Sequence, residues 1–178
     1  TRVMTQLLLT VVGADRSGLV SDLSEIVAHY DGNWLDSRMA RLAGAFAGIV
    51  LVDIKSSKVE PLKADLAGLE VKGLRVTVTD TIPTTPQQDE GEAALVVHLV
   101  GHDHPGIIHK VTATMARLGV TIDDLSTGLR EAPMGDGILF EAQVQCRITN
   151  ATTLDDLRSE LEAIATEIMV DIDLVDRS

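Results

Sequence analysis

The chain is nearly empty of aromatic residues, with Trp34, Tyr30, Phe46 and Phe140 the only ones in 178 positions. The bases of a single-stranded nucleic acid would therefore find no stacking platform. Positive charge is scarce too: 15 Lys+Arg stand against 27 Asp+Glu, a formal net of −12, and no basic run occurs. A phosphate backbone would be repelled, so direct nucleic-acid binding is not expected. Cysteine occurs once, at Cys146. That excludes an internal disulfide framework and suits a reducing compartment. Long apolar runs are missing as well. Leu7–Val12 is too short for a signal h-region, and nothing approaches the roughly 20 residues that span a bilayer. A soluble, cytoplasmic protein with no membrane partner is expected.

What is present is a repeat. Gly13-Ala14-Asp15-Arg16-Ser17-Gly18 returns 88 residues later as Gly101-His102-Asp103-His104-Pro105-Gly106. An apolar run precedes each copy, Leu7–Val12 and then Leu95–Val100 broken by His98, and an amphipathic segment follows. Internal self-similarity outranks length as a guide to domain number. The expected organisation is a first domain over 1–80, a linker over 81–92 rich in proline, glutamine and acid, and a second domain over 93–178. Each half is small, so a large shared interface and a homo-oligomer are expected.

Taken in order, Met4–Val12 reads as a buried strand. Leu19, Leu23, Ile26, Val27 and Tyr30 recur at helical spacing, and Asp31-Gly32-Asn33 ends that helix. Gly32 or Asn33 would take the left-handed conformation there. Trp34–Leu42 and Phe46–Ile54 form a hairpin around Ala43-Gly44-Ala45. A second helix covers 60–69 with Pro61 in its first turn, and Leu74, Val76 and Val78 alternate as a half-buried strand. The order then returns: strand Ala93–Val100, a helix striped by Ile108, Val111, Met115 and Leu118, and strands Val120–Leu125 and Gly137–Ile148 around the tip Glu131–Asp136. Leu154, Leu157, Leu161, Ile164 and Ile168 mark a last helix capped by Thr152 or Thr153, and Val170, Ile172 and Leu174 close the chain. Aligning Phe46 with Phe140 raises the offset from 88 to 94, so the second hairpin is the longer one. Two βαββαβ units follow, each an α+β ferredoxin-like antiparallel sheet of four strands with both helices on one face.

Two glycines around an aspartate, between strand and helix, make a turn that something can approach closely. The helix it opens has unpaired N–H groups suited to a carboxylate, while Asp15 or Asp36 could hold an ammonium. An amino-acid zwitterion needs both, since burying either charge alone is costly. Asn33 offers a donor and an acceptor. A plain alternative makes the motif a turn only, with Asp15 capping the helix. A β-branched side chain at Gly18 should fill the approach and leave the fold intact. His98, His102, His104 and His109 cluster with Asp103, but their spacing matches no common zinc or nickel pattern. Neither a metal nor another cofactor is expected. Cys146 reads as a small buried hydrophobe. No nucleophile elbow, phosphate loop or zinc-protease helix occurs, so the chain is not expected to be an enzyme.

Gly13-x-Asp-Arg-x-Gly18 after the first strand, with Gly32-Asn33-Trp34-Leu35-Asp36-Ser37-Arg38 opening the second, resembles the ACT domain. Two such domains and nothing else resemble the glycine cleavage system transcriptional repressor family. The resemblance implies a regulatory protein that senses a small amino acid, such as glycine, and acts on a protein partner such as a transcription factor. A detached regulatory subunit of an amino-acid metabolic enzyme is the other role it implies. It carries ligand contact to Gly13, Ala14, Asp15, Arg16, Ser17, Gly18, Asn33 and Asp36, and in the second repeat to Asp103, Pro105 and Gly106. The family's proline before the second glycine is Ser17 in the first repeat, and its asparagine is Thr121 in the second.

Overall fold

The computed structural model describes residues 3–81, 93–135, 137–148 and 154–177. Most of the 81–92 linker, Asp136 at the second hairpin tip, and the caps expected at Thr152 or Thr153 lie outside them. The chain divides into two compact units, Thr1–Thr85 and Pro86–Ser178.

In the first unit, β1 (Met4–Ala14) leads to α1 (Leu19–His29) and the hairpin β2 (Asn33–Leu42) and β3 (Ala45–Lys55). Then come α2 (Val59–Ala67), a 3-10 turn (Gly68–Lys72) and β4 (Leu74–Asp80). The second unit runs β5 (Ala93–His102), α3 (Ile107–Arg117), β6 (Thr121–Glu131), β7 (Ile138–Ile148), α4 (Leu154–Ile168) and β8 (Val170–Asp176). The sheet orders are β2-β3-β1-β4 and β6-β7-β5-β8, with every pairing antiparallel. Both units are ferredoxin-like, as the sequence order implies.

Alternation along the central strand decides which face is covered. Leu7, Leu9 and Val11 are fully buried, while Thr10 and Val12 are exposed on the other face. The helices close over the buried side: Leu19, Leu23 and Val27 of α1 and Val59, Leu62 and Leu66 of α2 join Val50, Val52, Ile54 and Leu74 in one core. The second core repeats this with Leu95, Val97, Leu99, Val111, Met115, Ala142, Val144, Cys146, Leu157 and Leu161. Each fully buried aliphatic side chain contributes roughly 1.5–3 kcal/mol. Among the described residues, the opposite face of each sheet carries no helix of its own unit.

Four details differ from the sequence reading. The central strands run past their expected ends, so Gly13, Ala14, Gly101 and His102 are strand residues and not turn residues. The left-handed residue after α1 is Asp31 (φ 55°), one place early. Gly32 is needed for another reason: a β-carbon there would lie 2.9 Å from Val27 Cγ1. β6 continues to Glu131, and the helix expected to reach Leu69 passes into the 3-10 turn after Ala67.

The first glycine of each motif is explained by packing. A β-carbon on Gly13 would sit 2.6 Å from the Gly73 carbonyl oxygen, and one on Gly101 would sit 2.3 Å from Val170 Cγ1. The close approach that glycine permits is therefore made by the neighbouring edge strand. Gly13→Ala should cost about 1–3 kcal/mol by overpacking. Gly68→Ala, where a β-carbon meets nothing within 4 Å and φ is −64°, should be neutral or stabilise by about 0.4–1 kcal/mol. Urea unfolding of the two variants measures both.

Candidate functional site

The first strand-to-helix turn is braced on three sides. The Asp15 N–H donates to the Gly44 carbonyl (3.0 Å), tying the turn to the β2–β3 hairpin tip. The Asp15 carboxylate meets Arg41 Nε at 2.9 Å. Arg16 donates through Nε to the Lys72 carbonyl (2.9 Å), through Nη1 to the Ser17 carbonyl (3.0 Å) and through Nη2 to Asp22 (3.0 Å). One guanidinium thus joins the turn, the first turn of α1 and the chain end before β4. Gly18 then enters the helix at φ 89°, with no side-chain cap. The expectation that Asp15 caps α1 is not met, because its carboxylate is held by Arg41.

An uncapped helix start leaves its first N–H groups without side-chain partners. They open on a pocket of about 320 Å³ lined by Asp15, Arg16, Ser17, Gly18, Leu19, Val20, Ser21, Arg41 and Phe46. Asp15, Arg16, Ser17 and Gly18 of the expected site come together here. Gly13 and Ala14 do not; they line a separate hollow with Glu70, Gly73 and Arg75. Asn33 and Asp36 lie far away. Asn33 pairs with Asp53, level with Gln6, which is seven residues from Gly13 along β1. At ~3.4 Å per residue that is about 24 Å. Asp36 is level with Leu8 and pairs with Arg38 at 2.9 Å, about 17 Å away on the same strand spacing. One small amino acid cannot touch both the turn and Asn33 of the same unit. Gly18 also corrects an expectation: a side chain there has space, with Arg16 Nη1 the nearest atom at 3.8 Å, but φ +89° would strain any β-branched residue.

The second turn repeats the frame with other chemistry. The Asp103 N–H donates to the Ile138 carbonyl (3.0 Å), and Gly106 opens α3 at φ 88° without a side-chain cap. His104 stands where Arg16 does and reaches the Ile168 carbonyl (Nε2–O 3.4 Å), the counterpart of Lys72. Leu129 takes the place of Arg41 opposite the strand-pairing phenylalanine. Pro105 adds rigidity, but Asp103 has no arginine across from it. The histidines do not converge: His98 bonds Glu141 on the sheet, and no metal-competent group of His, Cys, Asp and Glu exists among the described residues. Nor, among them, is any helix long and apolar enough to cross a membrane.

Comparison with known proteins places the fold. The ACT-domain pattern matches twice, over residues 5–79 and 93–175. The chain belongs to the ACT-domain family. A UPF0237 protein of Methanocaldococcus jannaschii is 38% identical over 79 residues, 42% of this chain and 87% of that protein. A crystal structure of an unknown protein from Galdieria sulphuraria superposes with a TM-score of 0.86 at 27% identity, covering 99% of this chain and 100% of that one. A candidate glycine cleavage system transcriptional repressor shares the fold at TM-score 0.72 and 22% identity, with 98% of each chain covered.

Cys146 is 1% exposed in the second core. Burial, and then the Asp123 charge, push its thiol up to about 11. In the unfolded chain it titrates near ~8.5. The unfolded state therefore loses the proton first, and this group's contribution to stability falls as pH rises through that window. Iodoacetamide at mildly alkaline pH should leave the native thiol unmodified over hours and label it promptly in denaturant, which mass spectrometry reads directly.

Proposed function

We propose that this chain is a non-enzymatic, amino-acid-sensing regulator that acts through a protein partner. The observation that carries the reading is the uncapped start of α1 facing a pocket that also holds Asp15. The α-carboxylate of a free amino acid would sit on the backbone N–H groups of Leu19, Val20 and Ser21. The dipole of the helix adds about 0.3–1 kcal/mol to those hydrogen bonds. The ammonium would face Asp15, whose second oxygen remains open beside the Arg41 pair. Ligand arrival then brings a second cation to the carboxylate that holds Arg41, and Arg41 belongs to the hairpin. Occupancy of the pocket is thereby coupled to a surface element that a partner can read.

Membership in the ACT family supports the same reading, since these domains commonly bind amino acids and associate. The resemblance of Asn33–Arg38 to the first repeat of the glycine cleavage repressors supports glycine and one-carbon metabolism as the setting, and a transcription factor as the partner. With a net charge of −12, control of transcription would pass through that factor and not through DNA. Glycine has five heavy atoms, and about 1.5 kcal/mol per heavy atom caps its binding near −7.5 kcal/mol. The expected dissociation constant is micromolar at best and weaker in practice.

Ser21→Glu separates stability from binding. A carboxylate in the first turn of α1 should raise Tm through the helix dipole, yet occupy the ligand's anion position. Calorimetry of the wild type against each protein amino acid should find at least one ligand, and Ser21→Glu should lose it at least tenfold. Unchanged binding in this better-folded variant would remove the pocket from consideration.

A further inference from the structure

The uncovered sheet faces of the two units differ. On β1 and the β2–β3 hairpin the outward positions are Thr10, Ala40, Leu42, Ala47 and Ile49; the matching positions of the second unit are His98, Gly128, Arg130, Glu141 and Gln143. A mostly apolar surface has become a connected polar group. His98 Nε2 lies 2.8 Å from one Glu141 oxygen, and Arg130 Nε lies 3.2 Å from the other. These residues, with Ser126, line a hollow of about 260 Å³.

Gly128 is among its lining residues. It stands in the interior of β6, has no left-handed φ, and a β-carbon built on it meets nothing within 4 Å. Glycine in a strand interior weakens the strand, and close approach of a ligand or another backbone is one of the reasons a strand carries it. Ala40 at the same place in the first unit shows that the backbone accepts a side chain.

We infer that this hollow is a second small-molecule site, built for an α-amino acid, and that it is present in the second unit only. The Nη groups of Arg130 are left open by the Nε contact and can take a carboxylate in bidentate fashion. Each Glu141 oxygen keeps a lone pair for the ammonium. Carboxylate and guanidinium are adjacent, which matches the short spacing of the two charges in an α-amino acid. The side chains of Ser126 and Gln143 have no hydrogen-bond partner among the described residues and face the hollow, where a polar ligand side chain would meet them. The His98 hydrogen bond and the Arg130 charge lower the Glu141 pKa, which keeps the carboxyl anionic. A lone anion gains Arg130 but meets Glu141, and a lone cation meets the reverse. The site stands on geometry separate from the α1 pocket.

The test is a ¹⁵N-correlation titration of the full chain with each protein amino acid at millimolar concentration, with acetate and methylammonium as single-charge probes. At least one amino acid should shift the amides of 126–130 and 141–143, in the wild type and equally in Ser21→Glu. Gly128→Val, a substitution that suits a strand, and Arg130→Gln should each weaken that response at least tenfold. Acetate and methylammonium should leave those amides unmoved. The inference is overturned if no amino acid moves them, if Gly128→Val and Arg130→Gln titrate as wild type, or if acetate alone reproduces the shifts. Response at 126–130 without any at Leu19–Ser21 would keep this site and sink the first; the converse would do the opposite.

Discussion

The end of each central strand has no room for a β-carbon, and much of the architecture follows from that crowding. At Gly13 the limit is the carbonyl of Gly73, and at Gly101 it is Val170. The edge strand can lie this close only because the chain before it is pinned. Arg16 in one unit and His104 in the other bind the last helix-end carbonyl, Lys72 or Ile168, at that spot. The same basic residue shapes the turn and fixes the end of the second helix. The path from strand to helix and the packing of the fourth strand are consequently a single constraint. The helix start has no side-chain cap because the capping position is glycine in each unit, Gly18 or Gly106, in the left-handed conformation.

Much of the fold was legible because its signals were local. Apolar alternation along Leu7–Val12 and helical spacing from Leu19 to Val27 each specify an element without reference to partners. The 88-residue repeat then supplied a second, independent reading of the same order. The site was harder to read, because its parts are brought together by strand register. Arg41 reaches Asp15 only because the hairpin turn sets it beside Phe46, which pairs with Gly13. Asn33 is removed from the turn because β2 begins at the far end of the sheet and only its last residues reach the tip. The glycines misled in another way: both functional and structural demands select glycine, and only coordinates tell an approaching ligand from an approaching strand.

Duplication gave the two units one frame and let their exposed positions drift apart. The helix-covered faces remain largely apolar, with changes such as Val52 to Cys146 that keep the position buried, since a change of volume there is felt throughout a close-packed interior. The uncovered faces were released from that demand. Ala47 and Glu141 occupy the same lattice point with opposite chemical character. Ligand chemistry can therefore diverge between the halves without disturbing either core.

The second hairpin shows how such a frame tolerates growth. Arg41 pairs with Phe46 in the first unit and Leu129 with Phe140 in the second, so all of the added length lies beyond that rung. Because pairing is anchored from the sheet side, new residues enter as one further rung and a wider loop, and no side chain already placed changes face. A hairpin of this kind behaves like a thread with a fixed root and a free tip. Evolution could lengthen it in a single step, with no compensating change elsewhere, and the tip between Ala132 and Gly137 is where a foreign peptide could be spliced with the least disturbance to the body of the protein.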